Sequence, residues 1–201
     1  MKYFLLTSLV CCCGFGGVFH ALAVCPVNDD GKTVFNDSST SYLYKSKIDL
    51  YGHYLSGLIL IKPLGHNNYK VAFTTEFGSK ILDFEFNNGN FILNDCIEEM
   101  RRKQVLKLLE LDMRLLLGVH GKPQTQENTG GFTVTAYKTK KGRANYLTDE
   151  QSGNIVKIFT KRGKKIKVSI ELLDYIIQKP GNIIIRHNKK PVSIELNLLK
   201  Q

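Results

Sequence analysis

The chain has 201 residues, a formal net charge of +10 and a pI near 9.3. Its five cysteines and five histidines show no metal-ligand spacing. No phosphate loop, nucleophile elbow or Cys–His pairing is present, so the enzyme and metalloprotein classes have no motif to stand on and no cofactor is implied. A basic chain invites nucleic acid, but no stacking aromatics are interleaved with the lysines.

The chain opens with Lys2 and the apolar run Tyr3 to Val10, followed by small residues. This is the pattern of a secretory signal, expected over residues 1–24. Export also argues against a nucleic-acid partner. Leu22-Ala23-Val24-Cys25 resembles a lipobox, and the expectation is a diacylated Cys25 as the first mature residue. The alternative is ordinary cleavage after Ala21-Leu22-Ala23, which leaves a soluble periplasmic protein. In that case Cys25 could pair with Cys96; acylation and the disulfide exclude each other. Residues 25–41 are polar, rich in Asn, Asp and Ser, and without periodicity, which predicts a flexible tether.

About 160 residues remain for a single domain, 42–201, with room for a real core. The two-residue period predicts strands over Tyr42–Asp49, Tyr54–Lys62, Tyr69–Thr75, Lys80–Asn87 and Phe91–Asn94. Asn88-Gly89 is a strong hairpin signal between the last two. Cys96–Leu117 then reads as one helix, with Ile97, Met100, Gln104, Leu108, Leu111 and Leu115 at steps of three or four. Asn94 or Asp95 can cap its start and Gly118 its end. Lys107, Glu110, Asp112 and Arg114 are spread through it, which argues against a membrane span. From Val105 onward the apolar residues cover more than one face, as burial on two sides requires.

Val119–Gly131 reads as a long polar loop. Strands resume over Phe132–Lys138, Arg143–Leu147, Asn154–Thr160, Lys165–Leu172, Asn182–His187 and Val192–Leu198. Ile166, Val168, Ile170 and Leu172 oppose Lys165, Lys167, Ser169 and Glu171. Val192, Ile194, Leu196 and Leu198 oppose Ser193, Glu195 and Asn197. One face is dry and the other wet. The expected fold is mainly β with one long helix (α+β): a curved antiparallel sheet of about eleven strands forming an incomplete barrel, with the helix covering the concave side.

Titratable residues look structural. His53, His66, His120 and His187 fall at turns or strand ends, where surface histidines are common. Asp83 and Glu85 fall on the wet face of their strand, and Glu98 and Glu99 suit a helix start. Positive charge is more informative. In a meander every second turn lies at the same end of the sheet. That gathers Lys140 and Lys141, Arg162 and Lys164, and Lys189 and Lys190 into one basic rim, which could face phospholipid headgroups or an acidic partner.

Phe73-Thr74-Thr75-Glu76-Phe77-Gly78, with Asp83-Phe84-Glu85-Phe86, resembles the LolA/LolB superfamily of periplasmic lipoprotein carriers and receptors, in particular small LolB-like lipoproteins of the Bacteroidetes. The wording of the resemblance runs from about Gly57 to Leu117, and its pattern from Tyr42 to Leu198. It implies an open barrel whose greasy interior can hold acyl chains, on a lipoprotein of the outer membrane facing the periplasm.

The resulting expectation is a non-enzymatic, membrane-anchored protein that binds lipid or lipoprotein acyl chains in a concave apolar pocket. Expected lining residues are Met100, Leu108, Leu111 and Leu115 from the helix, with Phe73, Phe84, Val168, Ile170 and Ile194 from the dry strand faces. The competing expectation is a filled core, giving a structural or partner-binding lipoprotein whose basic rim docks to a membrane or an acidic protein.

Overall fold

The computed structural model describes residues 33–139 and 142–199. The leader, Cys25, the first part of the tether, Lys140 and Lys141 lie outside the described residues.

Strands β1 (Tyr42–Leu50), β2 (His53–Gly65), β3 (Asn68–Thr74), β4 (Lys80–Asn87) and β5 (Asn90–Cys96) form a first meander. Strands β6 (Pro123–Thr129), β7 (Phe132–Thr139), β8 (Gly142–Asp149), β9 (Ile155–Arg162), β10 (Lys165–Leu173), β11 (Asn182–His187) and β12 (Val192–Leu198) form a second. All twelve join in one sheet of order β5-β4-β3-β2-β1-β12-β11-β10-β9-β8-β7-β6. The first and last strands meet at its middle, antiparallel, with Tyr44 opposite Leu198 and Leu50 opposite Val192. The edge strands β5 and β6 are not paired with each other, so the barrel is incomplete, as expected. Register shifts in β2–β3, β3–β4, β4–β5, β6–β7, β8–β9 and β9–β10 mark bulges, which bend a sheet locally.

Two sequence expectations need correction. The segment expected as one helix divides into a strand end, a 3-10 turn at Glu98–Met100 and an α-helix, α1, over Lys103–Leu116. Asp95 and Cys96 pair with Asp83 and Leu82 on β4, and Ile97 N–H donates to the Ile81 carbonyl. These sheet bonds outweigh a local helix preference, and Arg102 is extended at ψ 121°. No side chain caps the start of α1. Fourteen residues give a rod of about 21 Å rather than about 30 Å.

The other correction is β6, which lies where a polar loop is expected. Its sequence PQTQENT has no dry face, and its residues are half-buried or exposed. At an edge, backbone pairing with β7 is enough, and Gly130-Gly131 at φ +59° and +81° make the turn. Proline is tolerated at its first position for the same reason.

The far end of α1 follows expectation. Gly118 N–H reaches the Leu115 carbonyl and Val119 N–H the Arg114 carbonyl at 2.9 Å, with Gly118 at φ +67°. This pair of bonds is the Schellman closure of a helix.

Leu108, Leu109, Asp112, Met113, Leu115 and Leu116 are buried, so the helix is enclosed on more than one face. On its β1–β5 side the space is filled by aromatic rings, among them Tyr44, Phe73, Phe84 and Phe86. Phe35, from the stretch expected as tether, is buried there too, with its ring edge-on to Tyr42 at 4.9 Å.

Candidate functional site

The other half of the sheet leaves the space beneath the helix open. A cavity of about 950 Å³ lies between α1 and the concave face of β7–β11. Its strand wall is set by register. Ala144 on β8 stands opposite Thr160 on β9, Thr160 opposite Val168 on β10, and Val168 opposite His187 on β11. Four adjacent strands thus present three short side chains and one imidazole in a row, where the matching part of the first meander presents phenyl rings. Opposite this wall, Leu108, Leu111 and Leu115 of α1 complete an apolar lining with Val119.

His187 Nε2 and Asp112 Oδ2 are hydrogen-bonded at 2.8 Å, tying the middle of α1 to β11. The Asp112 side chain is fully buried and His187 only 9% exposed. Burial pushes the Asp112 carboxyl above its ordinary range, opposed by the hydrogen bond and charge of His187 and by Lys190. Among the described residues, neither a serine nor a cysteine is hydrogen-bonded to His187, and no group of His, Cys, Asp and Glu is arranged to hold a metal ion. At the inner end, His120 stacks on Tyr137 at 3.7 Å, and the buried Tyr146 hydroxyl donates to the Leu115 carbonyl at 2.6 Å.

Toward the mouth the lining turns cationic. Half-buried Lys167 and exposed Lys107, Lys138, Lys161, Arg162 and Lys190 all border the cavity. Because Leu50 at the end of β1 pairs with Val192 at the start of β12, the turns β1–β2 and β11–β12 share one end of the sheet. Antiparallel alternation puts the turns β7–β8, β9–β10 and β3–β4 at that same end.

Of the residues singled out from sequence, Leu108, Leu111, Leu115 and Val168 line the cavity, as do Arg162 and Lys190. Phe73, Phe84, Met100, Ile170 and Ile194 are buried in the core and are not among its lining residues. Lys164 and Lys189 are exposed on their turns. Lys140, Lys141 and Cys25 lie outside the described residues. Cys96 is buried and has no disulfide partner among the described residues.

The expectation that all four histidines are ordinary surface residues fails for two of them. His187 is almost enclosed, and His120 is half-buried on Tyr137. The signal for the buried His187–Asp112 pair is present in the chain. His187 continues the dry face of Ile183 and Ile185 at steps of two, and Asp112 sits four residues after Leu108 and three before Leu115. Ala144 and Thr160 are not legible as lining residues, because a small residue carries no sign that space has been left beside it.

An open antiparallel half-barrel with a helix inside and a hollow on one side of that helix is a LolA-like fold. The structure is similar to that of a LolA superfamily protein from Nitrosomonas europaea, with a TM-score of 0.54 and 10% sequence identity over 80% of this chain and 83% of that one. A putative outer membrane lipoprotein-sorting protein domain from Vibrio parahaemolyticus matches at a TM-score of 0.43 and 8% identity, over 82% and 86% of the two chains. No protein-family profile matches the sequence, and no curated protein matches it. No helix among the described residues is long and apolar enough to cross a membrane.

Proposed function

We propose that this protein is a non-enzymatic carrier or receptor that holds acyl chains of lipids or lipoproteins in the hollow beside α1. The observation that carries the reading is the cavity itself. Its volume of about 950 Å³ falls within the range of small-molecule sites, and its floor of Leu108, Leu111, Leu115, Val119, Ala144 and Val168 suits alkyl chains. A filled core, the competing expectation, does not account for a hollow of this size. Among the described residues no serine or cysteine is hydrogen-bonded to His187, and the reading is therefore of binding rather than hydrolysis.

The carrier works in the cell envelope, tethered through an acylated Cys25, with its mouth turned to the membrane. The cationic turns support this placement. So do Phe77, on the β3–β4 turn, and Tyr54, at the start of β2, 99% and 80% exposed at the same end of the sheet as the mouth. Aromatic and cationic side chains together suit the interfacial layer of a bilayer.

The test is native mass spectrometry of the full-length protein purified in mild detergent, followed by organic extraction. The expected result is a lipid adduct that extraction removes. A protein that is adduct-free as isolated and takes up no added lipid would show that the hollow is not a container.

A further inference from the structure

We propose that the ligand is an anionic amphiphile whose acid headgroup sits among the cations at the cavity mouth while its chain lies on the apolar floor. This rests on the container reading above and specifies the class of lipid.

The charge balance around the hollow carries it. Six cations border the mouth, Lys107, Lys138, Lys161, Arg162, Lys167 and Lys190; among the described residues none forms an ion pair, and Lys161 Nζ lies over the Phe159 ring at 4.9 Å. The two acids of the lining are already engaged. Glu110 is paired with Arg114 at 2.9 Å, and Asp112 with His187 at 2.8 Å. Arg114 is held further by the Gly89 carbonyl and by the Phe86 ring, 4.9 Å from its guanidinium carbon. Elsewhere on the sheet, cations find partners: Lys45 with Glu76, Lys80 with Asp83, and Lys157 and Arg186 with Glu171. Cations without an ion pair occur elsewhere as well, Lys62 and Lys70 among them, but at this hollow six of them border a single apolar-floored cleft.

A cleft lined by charge of one sign with low-dielectric walls focuses its field, and the six cations repel one another until an anion enters. Their placement follows the row that forms the strand wall. Lys161 and Arg162 follow Thr160, Lys167 precedes Val168, and Lys190 lies three residues past His187. Apolar floor and cationic mouth are therefore contiguous, and a ligand spanning both has a chain at one end and a carboxylate or phosphate at the other. A neutral lipid of the same chain length would fill the floor and leave the mouth uncompensated.

The experiment is isothermal titration of the full-length protein, below micelle concentration and at constant salt, with three single-chain probes. They are palmitate, 1-palmitoyl-lysophosphatidate and the neutral 1-monopalmitoylglycerol. The expected result is at least about tenfold tighter binding of one or both anions than of the glyceride, since a few lysines near an anionic group supply that much. The stronger of the two anions tells carboxylate from phosphate. In a Lys161→Gln/Arg162→Gln/Lys190→Gln variant the preference should collapse while the glyceride binds as before. Equal affinity for anion and glyceride in the unaltered protein overturns the proposal and leaves the container reading intact. So does a preference that survives in the variant, and so does loss in the variant of adsorption to anionic vesicles alone, which would make the cations a docking surface. Failure of all three probes to bind overturns the container reading itself.

Discussion

The imidazole of His187 and the carboxylate of Asp112 meet at 2.8 Å and fasten the helix across the hollow half of the sheet. The Asp112 carboxyl is raised above its ordinary value of 3.8 by burial, against the opposing pull of His187 and Lys190. A raised folded-state value means that the folded protein holds this proton more tightly than the unfolded chain. The resulting contribution is complete below the unfolded value of 3.8 and is lost as pH climbs through the folded one. The stability of the wild type minus that of Asp112→Asn should therefore fall as pH rises from 3.8 toward neutrality. Urea titrations at a series of pH values measure it, and a rising difference would refute the assignment.

Space, rather than greasiness, separates the two halves of the concave face. Ala144→Phe or Val168→Phe should occupy the hollow and abolish lipid uptake with little change in melting temperature. Phe84→Ala, in the filled half, should have the reverse effect: a loss of about 3–5 kcal/mol with lipid uptake kept at temperatures where the variant is folded. Thermal melts and lipid titration on the same three variants distinguish these outcomes. Lipid uptake unchanged in both filling variants would place the ligand elsewhere.

The Tyr146 hydroxyl donates to the Leu115 carbonyl from a fully buried ring, and burial pushes its pKa well above 10. Tyr146→Phe removes the donor while keeping the ring. The expected cost is about 1 kcal/mol, or roughly 2–4 °C in melting temperature for a chain of this size. A variant as stable as the parent would mean that this bond adds nothing to the anchoring of the helix end.

A Cβ at Gly57 would collide with the Thr74 carbonyl oxygen on β3. Gly57 has an ordinary backbone conformation, so the collision alone is responsible for any effect. Gly57→Ala should force β2 and β3 apart and destabilise the fold by about 1–3 kcal/mol. Denaturant midpoints read this directly. Gly121→Ala, with nothing within 4 Å of the added methyl and no positive φ, serves as the comparison.

Cys96 is buried at the end of β5 and has no disulfide partner among the described residues. In the native protein it should resist alkylation and in urea it should react at once. Intact mass of the mature chain should show one diacylglyceryl group, lost on Cys25→Ser. A mass two hydrogens below the reduced chain, with neither thiol reactive in urea, would indicate the disulfide instead.

Much of the fold was legible because strand alternation is local. Ile166, Val168, Ile170 and Leu172 announce their face within a single strand, and Asn88-Gly89 announces its turn. The edge strand β6 was not legible: an exposed edge needs only backbone pairing, and PQTQENT carries no alternation. The start of α1 was missed for a related reason, since pairing of Asp95 and Cys96 with β4 overrides a stretch of good helix formers. At the site, the helix positions Leu108, Leu111 and Leu115 were readable from their spacing. Phe73, Phe84, Met100, Ile170 and Ile194 were equally apolar and equally inward, and nothing in their spacing says that they face a packed region rather than an empty one.

By itself the sequence determined the class of fold, the inward face of nearly every strand, and which turns are cationic. These follow from periods of two and of three to four, which any short stretch displays. Only the tertiary structure decided that the short side chains of Ala144, Thr160 and Val168 fall in line on neighbouring strands. It also decided that His187 meets Asp112 across 75 residues of chain, and that the lysines and arginine beside that row form no ion pair among the described residues. A hollow is a property of the register between strands, and register is settled by the whole sheet.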